Sequence, residues 1–241
     1  AKDRTWAYGH IVVDEAQELS PMAWRALLRR CPSRSFTVVG DLDQRRGSKR
    51  PPTWEKALGP AARALAAEYA LTVSYRTPAT LTTLAEGVVA RAGVPVLYPM
   101  TAVRDVDDCY RVTHVDAPED APASSKDNST LWRAVAQAQR EAEERLDREA
   151  GTSRGRIAII VGNERARAWG ADVDGETALS ERVSLLSAVA SKGLEFDSVI
   201  LVEPAEILSD GVGDLFVALT RATHDVHVVH SAPLPAGMEE W

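Results

Sequence analysis

Cysteine is scarce, with Cys31 and Cys109 the only two in 241 residues. They lie far apart and follow no metal-ligand spacing, which leaves out a disulfide framework and reads as two free thiols in a reducing compartment. No apolar run approaches the length that spans a membrane. Positive charge is in deficit, 28 Lys and Arg against 35 Asp and Glu, for a net charge of −7. That balance argues against a small, wholly basic nucleic-acid binder and still allows a local basic groove. The densest basic stretch is QRRGSKR, with Arg45, Arg46, Lys49 and Arg50, which by itself reads as a solvated loop. No Gly-Lys dipeptide occurs, so the G-x-x-x-x-G-K-[ST] phosphate-cradling loop is absent from the chain. What is present, 45% hydrophobic and 26% charged residues, suits a soluble globular protein able to bury a core without cross-links.

Strand and helix signals alternate along the whole chain. HIVV and SFTVVG are short β-branched runs bounded by polar turns, and SPMAWRALLRR between them predicts a helix with Ser20 as cap and Pro21 in its first turn. WEKALGPAARALAAEYA predicts a helix interrupted at Gly59-Pro60. LTVSYR predicts a strand, and TPATLTTLAEGVVARAG a helix capped by Thr77. DCYRVTHVDA alternates as a strand does. The Pro-, Ala-, Ser- and Asp-rich stretch 117–130 predicts a mobile loop. The helix that follows, to about Ala150, places Leu131, Val135, Ala138, Ala142 and Leu146 on one face. RIAIIVG, VSLLSAV, SVILVEP and DVHVVH supply further strands, with a helix near DLFVALTRA. The pattern predicts an α/β fold, a parallel sheet with helices on both faces. A domain boundary is expected within 59–67. The two strands before it are too few for an independent sheet domain, so that part reads as the end of a domain that begins upstream.

Five short motifs carry candidate chemistry. In VVDEAQ an apolar strand ends in Asp14 and Glu15, at the strand edge where ligands bind in open α/β sheets. One carboxylate can hold Mg²⁺ through water while the other orients and deprotonates an attacking water. VVGDLDQ is a second strand whose tip should lie beside the first and put Gln44 near a terminal phosphate. SYRTP sets Tyr75, a stacking face, beside Arg76, a multidentate phosphate donor. In SKGLEFDSVILV, Gly193 permits a tight turn and Glu195 can accept from a ribose hydroxyl. In FVALTRAT, Thr220 and Arg221 are expected to ride on a helix whose apolar face is Val217, Ala218 and Leu219. Taken alone, VVDEAQ is evenly balanced against a strand ending in two solvated acids, VVGDLDQ reads as a simple turn on Gly40 and Asp41, and each of the others reads strongly as an exposed Arg or Lys on a helix or loop.

Taken in order, VVDEAQ, GDLDQ, YRTP, SKGLEF and VALTRA resemble the motifs of the superfamily 1, UvrD/Rep-type helicase family, in which two RecA-like domains enclose ATP. The resemblance covers the chain from His10 to His230. It implies that residues 1–62 are the end of a first RecA-like motor domain and 63–241 a complete second one. It further implies that Asp14 binds Mg²⁺, Glu15 is the catalytic base, Gln44 senses the γ-phosphate and Tyr75 stacks near the adenine. Arg76 and Arg221 would be arginine fingers, and Gly193 and Glu195 would meet the nucleotide sugar.

Three departures refine the reading. RRGSKRPPTW follows Gln44 with no aromatic until Trp54, Val189 stands where a histidine is typical, and DGVGDL replaces a charged stretch before the last motif. With ILVEPAEI and DLFVALTRATHDVHVVH, these look like the HelD branch, which implies an ATP-dependent factor that remodels or releases bacterial RNA polymerase in the cytoplasm. DNA would then be a weak, non-sequence-specific partner, and the missing upstream part of the same protein would supply the phosphate loop. The chain alone is expected not to hydrolyse ATP. The alternatives are an ordinary DNA-unwinding helicase of the same family and a non-enzymatic interaction module that keeps only the fold.

Overall fold

A computed structural model describes residues 6–45, 51–94, 96–116, 129–172 and 180–239. The chain divides into two compact units, Ala1–Leu71 and Thr72–Trp241. The expected loop at 117–130 falls outside the described residues except for its last two, and Arg46, Lys49 and Arg50 fall outside as well.

In the first unit, β1 (Ile11–Val13) pairs in parallel with β2 (Phe36–Val38), in the register Ile11 to Phe36 and Val13 to Val38. The connection is α1 (Pro21–Arg30), whose cap is the one expected: the Ser20 hydroxyl accepts from the Ala23 amide at 3.1 Å, and Pro21 needs no partner for an amide it lacks. Trp24 of α1 is fully buried and meets Phe36 edge-on, with ring centroids 6.4 Å apart. A short α2 (Trp54–Leu58) runs into a 3₁₀ turn over Gly59–Ala64, and Leu58 and Ala61 close the small core against Val13, Ala16 and Trp24. The longer helix expected over 54–70 does not form. Gly59 takes a left-handed φ of 51° and Pro60 brings no amide to the ladder. Beyond Ala64, Tyr69 and Leu71 lie exposed, so no buried face rewards a further turn.

The second unit opens with a two-residue parallel pair, β3 (Val73–Ser74) with β4 (Thr101–Ala102), flanking α3 (Ala79–Arg91). Its body is five parallel strands: β5 (Tyr110–His114), β6 (Ile157–Val161), β7 (Val183–Ser187), β8 (Phe196–Val202) and β9 (Ala222–His230), in the spatial order β5-β9-β8-β6-β7. α4 (Thr130–Glu149) and α5 (Asn163–Trp169) cover one face, where Ile157, Ile159 and Val161 join Leu131, Val135, Ala138, Ala142 and Leu146. α3, α6 (Pro204–Asp210) and α7 (Val212–Leu219) cover the other, where Ala158, Ile160, Val199 and Leu201 pack. Burial on both faces explains why these strands are continuous apolar runs rather than alternating ones. Each fully buried Ile or Leu contributes roughly 1.5–3 kcal/mol. This is the α/β class the sequence predicts.

Thr77 is not the cap of α3. Its side chain is buried and its hydroxyl donates to the Thr220 carbonyl at 3.4 Å, while Asp105 serves the first turn by accepting from the Thr80 amide (3.2 Å) and hydroxyl (3.1 Å). Those hydrogen bonds, the Thr80 amide first, hold the Asp105 carboxyl below its usual range.

Beneath α4 lies a polar cluster. Buried Asp225 accepts from Arg111 at 3.0 Å and from Arg145 at 2.5 Å, and the His227 ring sits 2.8 Å from the Thr113 hydroxyl. Burial, and then the Arg111 charge, push the His227 pKa below the ordinary 6.5, against smaller opposite effects of Glu141 and Asp225. The unfolded chain therefore takes up this proton first. The stability that His227 contributes is present above pH 6.5 and is lost as the pH falls from there toward the folded pKa. Urea titrations at stepped pH should show this decline, and His227→Gln should flatten it. An unchanged slope in the variant would show that His227 is not its source.

Candidate functional site

The two parallel pairs gather the candidate residues. In the first unit β1 and β2 end side by side, and the Ala16 amide donates to the Val39 carbonyl at 3.1 Å just past the last rung. Asp14 is exposed, and one of its carboxylate oxygens accepts from the Glu15 amide at 2.8 Å. Glu15 takes left-handed backbone angles, φ 49° and ψ 38°, which turn the chain from strand into a 3₁₀ turn over Ala16–Glu18. Gln17, buried, joins the two motifs: its amide nitrogen donates to the Glu15 carboxylate at 2.5 Å and its oxygen accepts from the Asp41 amide at 3.1 Å. Asp41 in turn accepts from the Gln44 side chain at 3.0 Å. Arg45 donates to the Gln17 carbonyl. Asp14, Glu15 and Gln44 thus stand on one strand-end edge, linked through Gln17 and Asp41. Neither linker was assigned a role from sequence, although Gln17 is the last letter of the VVDEAQ motif.

In the second unit the candidates sit at the opposite kind of edge, where β8 and β9 begin. Ser191–Leu194 forms a tight turn with Gly193 at φ 71°, closed by the Leu194 amide on the Ser191 carbonyl at 3.2 Å. Glu195 follows, and the Phe196 amide donates to the Arg221 carbonyl at 3.1 Å, so Glu195 and Arg221 are cross-strand neighbours. The Glu195 carboxylate pairs with Arg76, both side chains about half exposed. Arg221 does not ride on the helix, since α7 ends at Leu219. Only 6% of it is exposed, and it donates to the carbonyls of Val217 (3.2 Å) and Leu194 (3.4 Å). Tyr75 projects beside Arg76 with 74% of its surface exposed. Arg104, which sequence reasoning passed over, clamps the segment by donating to the carbonyls of Arg76 (2.9 Å) and Thr223. So Arg76 joins Gly193, Glu195 and Arg221 from a segment more than a hundred residues away, with Tyr75 adjoining.

The crevice usual for open α/β sheets lies elsewhere and is filled. β6 leads into α5 and β8 into α6 on opposite faces, which makes their ends the switch point. There a Cβ on Gly162 would stand 3.1 Å from the Glu206 Cβ, and Asp210 accepts from the Asn163 amide at 2.7 Å. Glu203, buried beside it, accepts from the amides of Ser231 (2.8 Å) and Ala232 (3.2 Å).

Asp14 offers an exposed carboxylate, and no cluster of three or more His, Cys, Asp or Glu suited to a metal ion occurs among the described residues. That donor set fits Mg²⁺, which keeps most of its waters and takes one or two carboxylates plus phosphate oxygens. None of the described helices is long and apolar enough to cross a membrane.

No protein-family model and no curated protein matches the chain. Solved structures similar to it include arterivirus nonstructural protein 10 (helicase), at 16% identity over 97% of this chain and 41% of that one, with a TM-score of 0.48. A complex of the arterivirus protein with DNA matches at 18% identity over 93% and 40%, with a TM-score of 0.47. The C-terminal domain of a possible DNA helicase from Lactobacillus plantarum matches at 18% identity over 68% and 92%, with a TM-score of 0.42. The chain spans about two fifths of the arterivirus protein. At such identities the likeness reaches no residue role.

Gly40 keeps the first cluster together. A Cβ there would collide with the Gln17 side-chain oxygen and stand 2.8 Å from the Trp54 ring and 3.1 Å from the Ala16 nitrogen. Gly40→Ala should destabilise the first unit by about 1–3 kcal/mol in chemical denaturation. Gly9→Ala, where no atom lies within 4 Å, should stay within about 0.5 kcal/mol. Equal effects at the two positions would remove the case for close packing at Gly40.

Proposed function

We propose that the chain is the C-terminal motor portion of a superfamily 1 helicase-type ATPase with RecA-like domains, and that the branch it serves is the HelD-like one that remodels RNA polymerase. The observation that supports the reading is the gathering of five separated motifs into two clusters, one within each unit. Asp14 would hold Mg²⁺, which would supply charge neutralisation to the phosphates of a bound nucleotide. Glu15, fixed by the Gln17 amide at 2.5 Å, is placed to take a proton from an attacking water. Gln44 reports the γ-phosphate through Asp41 and Gln17. Arg76 supplies positive charge to phosphate oxygens, and this requires it to leave Glu195, whose carboxylate is then free for a ribose hydroxyl. The exchange is cheap, because an exposed ion pair is worth about 0–1 kcal/mol. Arg221, held by two carbonyls, contributes a fixed charge rather than a swinging one. The phosphate cradle itself comes from outside this chain.

In the complete protein Glu15→Gln should keep nucleotide binding and stop hydrolysis, since the amide preserves shape and removes the base. Single-turnover hydrolysis within about tenfold of the unmodified protein would end the general-base role.

The polymerase assignment rests on the stretch after Gln44, which lacks an aromatic platform worth about 1–3 kcal/mol per stacked base, and on Val189, which offers a DNA phosphate no hydrogen bond. Paired titrations at physiological salt should show the complete protein binding core RNA polymerase more tightly than a labelled single-stranded oligonucleotide. Tight oligonucleotide binding, ATP-driven strand separation and no polymerase complex would make it an ordinary DNA helicase.

A further inference from the structure

The first unit carries a second polar feature, built from other residues than Asp14, Glu15 and Gln44. A cleft of about 460 Å³ is lined by Arg25, Arg34, Gly59, Pro60 and Arg63. Arg34 stands two residues before β2 begins, whereas Glu15 and Gln44 follow strand ends. Segment 21–35 holds Arg25, Arg29, Arg30 and Arg34 and no acid, in a chain whose net charge is −7. No ion pair or side-chain hydrogen bond engages Arg25, Arg34 or Arg63 among the described residues.

Three guanidiniums around one cleft repel each other, and an anion seated among them removes that cost. Their planar donor forks match phosphate oxygens. The lining contains no aromatic to stack a base and no uncharged polar side chain to read one. All three arginines are exposed, unlike the walls of a site that encloses a small ligand. Phosphate contacts without base contacts position a strand and carry no sequence information. We infer that this cleft is a sequence-independent docking site for the phosphodiester backbone of a nucleic acid. The inference stands apart from the motor reading, and nucleotide-free protein tests it whether or not that reading holds.

The measurement is fluorescence anisotropy of the full chain with a labelled single-stranded oligonucleotide of roughly 16 nucleotides, titrated between about 50 and 200 mM salt. The triple variant Arg25→Ser, Arg34→Ser, Arg63→Ser should lose at least about tenfold in affinity at the low end, and its salt slope should fall by about 2, from three phosphate contacts at about 0.7 each. A control with the same change in net charge, Arg133→Ser, Arg140→Ser, Arg148→Ser on α4, should lose less than about twofold. Arg25→Glu alone, a helix-compatible reversal at an exposed position, should weaken binding with unchanged circular dichroism. Equal losses in the cleft and control triples, or full affinity in the cleft triple, would overturn the inference. Displacement of the oligonucleotide by sub-millimolar pyrophosphate would also overturn it, and would reassign the cleft to small phosphates.

Discussion

Parallel strand pairing is the constraint on which the candidate site depends. Two parallel neighbours must both start on one edge and both end on the other, however much chain separates them. β1 and β2 therefore bring Asp14 and Glu15 beside Asp41 and Gln44, with the Ala16 amide continuing the ladder to Val39 at 3.1 Å. β8 and β9 do the same at their starts, which sets Glu195 against Arg221. Clustered chemistry here follows from hydrogen-bond geometry before any side chain is chosen.

The sheet can hold these edges still because it is clamped from both faces. Alternate residues of β6 feed different cores, Ile157, Ile159 and Val161 on the side of α4, Ala158 and Ile160 on the side of α7. A slip of one residue would exchange the two sets, so register is tightly specified. The polar cluster of Asp225, Arg111, Arg145 and His227 interrupts the α4 face next to the edge strand β5. Paired charges there fix how α4 meets the sheet.

Much of the fold was legible because local signals and burial agreed. The face of α4 reads directly from the spacing of Leu131, Val135, Ala138, Ala142 and Leu146, and Ser20-Pro21 marks the start of α1 as the structure has it. Where they disagreed, tertiary contacts won. Thr77 has the look of a cap, but its hydroxyl is drawn to Thr220 and a distant Asp105 serves α3 instead. The helix expected through Tyr69 lacks a surface to pack on. In the site, the end-of-strand charges were visible as pairs and turns. The connectors were not: Gln17, Asp41 and Arg104 act through individual hydrogen bonds, those of Gln17 to Asp41 and of Arg104 to Arg76 and Thr223 joining residues far apart in sequence, to which no periodicity or spacing corresponds. Arg221 was legible as a residue but not as a buried one, since burial at a helix-to-strand junction depends on what the neighbouring turn, here Leu194, brings over it.

Glu15 holds its left-handed backbone conformation, φ 49° and ψ 38°, without being glycine. Such a residue costs on the order of 1–3 kcal/mol, tolerated because the surrounding structure over-determines it. Gln17 grips its side chain and Asp14 its amide, and the two anchors stand against that strain. A screen for thermal robustness would therefore favour glycine at position 15, a substitution that relaxes the turn and discards the carboxylate. On the base role proposed for Glu15, selection of the complete protein for stability and for hydrolysis would pull in opposite directions at this residue.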